Sequence, residues 1–216
     1  MKRIIAKHKD FWSNRQFLLS LVIGFIFLAA SLVFNYYAGN YATREASNSV
    51  TDIILDNIPV YNVTFILTEG ITIFFFFLVM VLLNKPKRLP FVLKASALFV
   101  AIRSVFIMMT HIGPFPQQID FTSSKILESI TFGGDLFFSG HTGIPFLMAL
   151  IFWQNKKLRY IFLASSVIFG ISVLLGHLHY SIDVFAAFFI TYTIFIIAKT
   201  YFKRDYTFLV EEDSGN

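Results

Sequence analysis

Phe17-Leu18-Leu19-Ser20-Leu21-Val22-Ile23-Gly24-Phe25-Ile26-Phe27-Leu28-Ala29-Ala30-Ser31-Leu32-Val33-Phe34-Asn35-Tyr36-Tyr37 decides the fold class. No charge interrupts the chain from Gln16 to Thr43. At about 1.5 Å per residue, a helix over Phe17–Tyr37 spans a hydrocarbon core of ~30 Å. Five further apolar runs follow: Ile58–Leu83, Pro90–Thr110, Leu136–Trp153, Tyr160–Gly176 and Ser181–Phe202. The composition agrees: 56% of the 216 residues are hydrophobic and only 14% charged, where a soluble domain carries about 25%. The expectation is an all-α, polytopic membrane protein with six transmembrane helices. Residues 1–16 would be a cytoplasmic N-terminal segment, 17–202 the six-helix membrane catalytic domain, and 203–216 a cytoplasmic tail, loose from Glu211 onward. The first run is longer than the roughly 7–15-residue core of a signal peptide, so it reads as a retained helix.

Orientation follows from Lys and Arg. If six helices cross, one face holds Lys2, Arg3, Lys7, Lys9, Arg15, Lys85, Lys87, Arg88, Lys94, Lys156, Lys157, Arg159, Lys199, Lys203 and Arg204, and the other only Arg44 and Lys125. Arg103 falls within the membrane. Both termini are then cytoplasmic. The net charge of +5 is topology and contact with anionic lipid, and no nucleic-acid partner is implied. Trp12, Trp153 and Tyr160 mark the inner interface; Tyr36, Tyr37, Tyr41 and Tyr61 mark the outer one. With no Cys, disulfides, thiolate nucleophiles and Cys-ligated metals are excluded.

Two polar segments reach the outer face: Phe132-Gly133-Gly134-Asp135-Leu136-Phe137-Phe138-Ser139-Gly140-His141-Thr142 and Gly176-His177-Leu178-His179-Tyr180-Ser181-Ile182-Asp183-Val184. They share a face because the basic loop Gln154–Arg159 reverses the chain between them. His179 and Asp183, four apart, lie on one side of a helix start. An Asp that takes one imidazole proton leaves the other nitrogen as an oriented nucleophile or base. His141 follows Ser139-Gly140 at another helix start, where free N–H groups favour an anion. Phosphate fits this set: N–H groups and Ser139 to bind it, one His to attack, one to protonate the leaving oxygen. His177, His179 and His141 could instead hold zinc.

The first segment resembles the C-G-D-x-x-x-S-G-H-T motif of sphingomyelin synthases, with Gly133 at the position of the Cys. His179-Tyr180-Ser181-Ile182-Asp183-Val184 is similar to their H-Y-[ST]-x-D-V motif, and His177 has a counterpart there. Arg103–Pro114 is similar to a weaker third block. The same serine-glycine-histidine and H-x-x-x-D elements resemble the wider type 2 phosphatidic acid phosphatase superfamily. The K-x6-R-P motif of that superfamily's soluble-substrate phosphatases is absent, which favours the synthase-like branch. The resemblance implies His179 as nucleophile, Asp183 as its orienter, His141 as acid–base partner, a phosphohistidine intermediate, and neither metal nor cofactor. Ser139, Gly140, Arg103, Asp135 and His177 are the substrate-binding candidates. His111 reads as a loop histidine.

Glu69 and Arg103 are expected ~12–16 Å below the outer surface, where lone charges are costly, so they are expected to pair or face a polar cavity. Phe74-Phe75-Phe76-Phe77 reads as lipid-facing or packing bulk. Three functions compete. A lipid phosphotransferase moves a phospho-head group from a phospholipid to ceramide or diacylglycerol. A lipid phosphate phosphatase uses the same triad with water. A proton-linked lipid transporter needs polar residues through the whole membrane, and here they gather at one face.

Overall fold

The computed structural model describes residues 14–119 and 136–214. Among these there is no strand. Seven α-helices follow in order: α1 Arg15–Arg44, α2 Thr64–Asn84, α3 Leu89–Met109, α4 Gly140–Ile151, α5 Lys156–Leu175, α6 Ser181–Tyr201 and α7 Lys203–Ser214. Five of them, α1, α2, α3, α5 and α6, are long and apolar enough to cross a membrane.

Helix starts follow local chemistry. Asn14 caps α1 by accepting from Gln16 and Phe17 N–H, and Asn155 caps α5 by accepting from Leu158 N–H. Helix α3 begins with Pro90 in its first turn, where a missing N–H costs nothing.

Helix α3 is the most buried span. Helix α1 packs along it, α4 packs on α5 and α6, and α2 rests mainly on α5. Gly143 allows the close approach at the centre. A Cβ there would lie 2.6 Å from the Phe99 ring of α3 and 2.9 Å from Thr191 Oγ1 of α6. Around that point Phe74, Phe91, Phe99, Phe138, Leu147, Met148, Phe162 and Ile194 form the main core. Helices α1 and α2 make no substantial contact with each other. This leaves a gap in front of α3 and α4.

Four expectations are corrected. The run expected to cross as Leu136–Trp153 is helical only over its 12 residues Gly140–Ile151, about 18 Å long. Residues 136–139 turn instead of continuing the helix, because their carbonyls are used elsewhere, as described below. Non-helical backbone at membrane depth is tolerated when buried in protein. Second, α2 starts at Thr64 rather than Ile58, because the segment around Pro59 is extended. Glu69 therefore sits only five residues into its helix. It is exposed, and no ion pair joins it to Arg103 among the described residues. Third, α1 continues to Arg44. Fourth, the chain beyond Phe202 is anchored. Asp205 of α7 is buried and receives Lys94 Nζ at 2.6 Å, with Ser20 Oγ 2.6 Å from the same ammonium. Leu209 is buried as well, and the helix runs through Glu211 to Ser214.

Candidate functional site

The turn Leu136–Ser139 joins α4 to α6 through two hydrogen bonds. His179 Nδ1–H donates to the Leu136 carbonyl at 2.9 Å, and Ser139 N–H donates to the Asp183 carbonyl at 3.0 Å. Phe138 adopts φ 29°, a region costly for a bulky residue. Its surroundings hold it there. The ring is fully buried and edge-on to Phe99, and the carbonyl accepts Arg103 Nε–H at 2.9 Å.

This turn brings the two histidine segments together. The His141 and His179 rings lie 6.0 Å apart between centroids, with planes at 65°. A ring nitrogen that faces a carbonyl must carry the proton, so His179 is held as the Nδ1–H tautomer. Its Nε2 has a free lone pair and no protein partner among the described residues. Asp183 Oδ2 is 3.6 Å from His179 Nδ1, too far for a hydrogen bond. That oxygen accepts Tyr180 N–H at 2.9 Å instead. The expected division of labour is therefore modified. The Leu136 carbonyl fixes the tautomer, while Asp183 caps α6 and places negative charge behind the ring.

Across from His179, α4 opens with Ser139-Gly140-His141. Gly143 N–H bonds the Ser139 carbonyl at 2.9 Å, so the N–H groups of Gly140, His141 and Thr142 precede the first helical bond. Pro145 has no N–H to return to His141, four residues earlier, which leaves that carbonyl outside the helical ladder. Ser139 Oγ is buried without a hydrogen-bond partner among the described residues. A Cβ on Gly140 would be 3.6 Å from Arg103 Nε, so the guanidinium lies directly beside the helix start. Arg103, Gly140 and His141 line a cavity of ≈ 320 Å³, whose other walls are mostly apolar side chains of α1, α2, α3 and α5. Arg103 thus lines a cavity, but a largely apolar one rather than the polar cavity expected for it. Phe74 and Phe75 also line this cavity, while Phe76 is exposed.

His177 lies apart from this cluster in its described contacts. It has φ 56°, is buried, meets Phe115 edge-on at 5.1 Å, and has no hydrogen-bond partner on either ring nitrogen among the described residues. Among the described residues no three His, Asp or Glu side chains form a group suited to a metal ion. Asp135, Gly133 and Gly134 lie outside the described residues.

A further clamp was not legible beforehand. Asp52 Oδ2 accepts Ser181 N–H at 2.7 Å at the start of α6, while its Oδ1 accepts the N–H groups of Ile54 and Leu55. Burial pushes the Asp52 carboxyl up, but these bonds outweigh it and hold the group below the usual carboxylate value. Tyr180 O–H donates to the Gly113 carbonyl at 2.8 Å and accepts Val50 N–H at 3.2 Å. Burial and the nearby carboxylates of Asp183, Asp52 and Asp56 raise its pKa, so it stays a donor. The connections after α1 and after α3 are thereby fastened to the helix that carries Asp183. Asp52 gave only a weak signal in sequence, as one acid in a polar loop.

Comparison with curated proteins and with solved structures gives no significant match. Residues 133–200, which hold the Leu136–Ser139 turn, His141, His179 and Asp183, match the family model described as PAP2 superfamily C-terminal. The match covers under one third of the chain, so what it shows is likeness to the C-terminal part of that superfamily over this region.

Proposed function

We propose that the protein is a lipid phosphotransferase of sphingomyelin-synthase-like type, working through a phosphohistidine at His179. The observation that carries this reading is the pairing of an Nδ1-anchored His179 with His141 beside a largely apolar cavity that also holds Arg103. Apolar walls suit hydrocarbon chains, and the polar end suits a phosphate.

His179 Nε2 attacks phosphorus, and the bond to the donor's glyceride oxygen breaks. That oxygen leaves with the electron pair and takes a proton from the His141 imidazolium. Arg103, Ser139 and the first N–H groups of α4 hold the phosphoryl oxygens. In the second half, an acceptor hydroxyl gives its proton to neutral His141 as its oxygen attacks phosphorus. The P–Nε2 bond breaks and its electron pair returns to the ring. With a lipid alcohol the result is transfer; with water it is hydrolysis, the second reading that this site also suits. The largely apolar cavity favours the lipid acceptor.

The membrane arrangement proposed is six crossings, with the short α4 and its flanks as one of them. Both termini are cytoplasmic and the histidines face outward. An impermeant thiol reagent should label a cysteine placed at Glu45 from outside and spare one at Lys157; the reverse overturns the orientation.

The chemistry is tested with vesicles of phospholipid labelled in the head-group phosphate, supplemented with ceramide or with diacylglycerol whose acyl chains differ from the donor's. Labelled lipid product and acid-labile labelled protein are expected, and both should vanish in His179→Ala. Water-soluble phosphate products alone would select hydrolysis, and wild-type-like turnover in His179→Ala would remove the mechanism.

A further inference from the structure

The apolar cavity beside the histidines contains one polar side chain with no place in the steps above. Asn35 of α1 lines it together with Arg103 and His141. It stands in a run that is otherwise apolar for two turns on its N-terminal side apart from Ser31, and outside the residues that match the family model. An amide at this depth is costly unless something bonds to it.

Its one protein partner among the described residues is Ser104, whose Oγ lies 3.2 Å from Asn35 Oδ1. Ser104 does not need that bond. Its Oγ is 2.8 Å from the Val100 carbonyl oxygen, one turn back on α3, so its single proton can go there. If the proton goes to Val100, the Ser104 lone pair is best met by the amide N–H₂, and the amide oxygen turns to the cavity. If the proton goes to Asn35, the N–H₂ turns to the cavity. In both arrangements one end of the amide is left for a ligand. A hydroxyl, which both donates and accepts, is the ligand group that fits either.

We infer that Asn35 binds the hydroxyl of the acceptor, a neutral lipid alcohol with hydrocarbon chains, and so decides between transfer and hydrolysis. The inference rests on the phosphotransferase reading above. The chains occupy the apolar walls formed by Leu32, Ile71, Phe75, Val100 and Ile144, at the gap that α1 and α2 leave open. The hydroxyl is then held at the polar end shared with Arg103 and His141. From there its oxygen attacks the phosphorus on His179, its proton passes to His141, and the P–Nε2 bond breaks. Water has no chains to hold it in that cavity, so it gains less from the amide.

The test is a partition measurement on the full chain in vesicles, with head-group-labelled phospholipid and added diacylglycerol whose acyl chains differ from the donor's, so that the transfer product separates from the substrate. The ratio of labelled lipid product to water-soluble labelled product does not depend on how much of the enzyme is folded. Asn35→Leu should lower this ratio at least tenfold and raise the diacylglycerol concentration needed for half-maximal transfer. Ser104→Ala, which frees the amide to rotate, should lower it by a smaller factor. A ratio within twofold of wild type in Asn35→Leu overturns the inference while leaving the transferase reading in place. A wild-type enzyme that yields only water-soluble product overturns both. If Asn35→Leu does not fold, an unchanged ratio in Ser104→Ala overturns the inference.

Discussion

Replacing Asp183 with Asn should slow turnover by about 10²- to 10³-fold without unfolding the protein. The magnitude comes from the distances. Asp183 Oδ2 is 3.6 Å from His179 Nδ1. When Nε2 takes the phosphoryl group, the imidazole becomes cationic, and the carboxylate stabilises it. At that separation and an effective dielectric constant of about 20, the Coulomb term is roughly 4–5 kcal/mol. The amide dipole of Asn and solvent adjustment recover part of it, leaving about 3–4 kcal/mol, or 10²- to 10³-fold at ~1.4 kcal/mol per tenfold. The loss should stop short of the ~10⁴-fold seen where a carboxylate alone sets the tautomer. Here the Leu136 carbonyl, 2.9 Å from Nδ1, keeps the proton in place after the substitution. Stability should change little, because the Asn oxygen can still accept Tyr180 N–H, which Asp183 takes at 2.9 Å. The assay is kcat on a labelled phospholipid in detergent micelles, read beside a thermal melt. A loss below tenfold would show that the charge behind the ring is idle. A loss equal to that of His179→Ala, with an unchanged melt, would show that Asp183 rather than Leu136 fixes the tautomer.

His141→Ala should lower turnover of natural lipids by about 10²- to 10⁴-fold, the usual worth of a general acid. Formation of the labelled His179 adduct from an activated aryl phosphodiester should suffer far less, since that leaving group needs no proton; equal losses on both substrates would exclude the acid role. Asp205→Ala strands the Lys94 ammonium, which is only 8% exposed, and should cost about 3–5 kcal/mol of stability. The double change Lys94→Met, Asp205→Leu should restore most of it in a thermal melt in detergent, and no restoration would mean that the pair is not what α7 depends on. Asp52→Asn tests the clamp on the start of α6 through pH. The folded carboxyl lies below its ordinary value, so its stabilisation is complete above the unfolded value of ~3.9 and fades as pH falls through the folded one. Wild type should therefore melt above the variant at pH 6, and the gap should close below about pH 4; a gap that widens in acid contradicts the assignment.

Much of the architecture was legible because membrane helices depend on uninterrupted apolar length and on where Lys and Arg interrupt it. Those properties placed helices within every one of the six runs, although the fourth forms only a short helix. The helix ends were harder. Pro59 delays α2, and the turn at Phe138 shortens α4, because a backbone segment that serves as a set of acceptors cannot also be helix. The site was legible as residue types at a spacing: His179 and Asp183 on one helix start, and Ser139-Gly140-His141 on another. The structure brings His141 to His179. It leaves His177 under Phe115, with no described contact to that pair.

The amino-acid order alone determined the class of molecule, the approximate spans and the residue types of the candidate site, because these depend on local apolar length and on chemistry carried by single residues. Tertiary structure decided which atoms hold them. The Leu136 carbonyl took the proton expected to go to Asp183, Arg103 settled beside Gly140 rather than on Glu69, and Asn35 came to share a cavity with His141. Every residue has a carbonyl, so no sequence pattern distinguishes the one that orients an imidazole. A lone Asn in an apolar helix becomes informative only when the wall it faces is known.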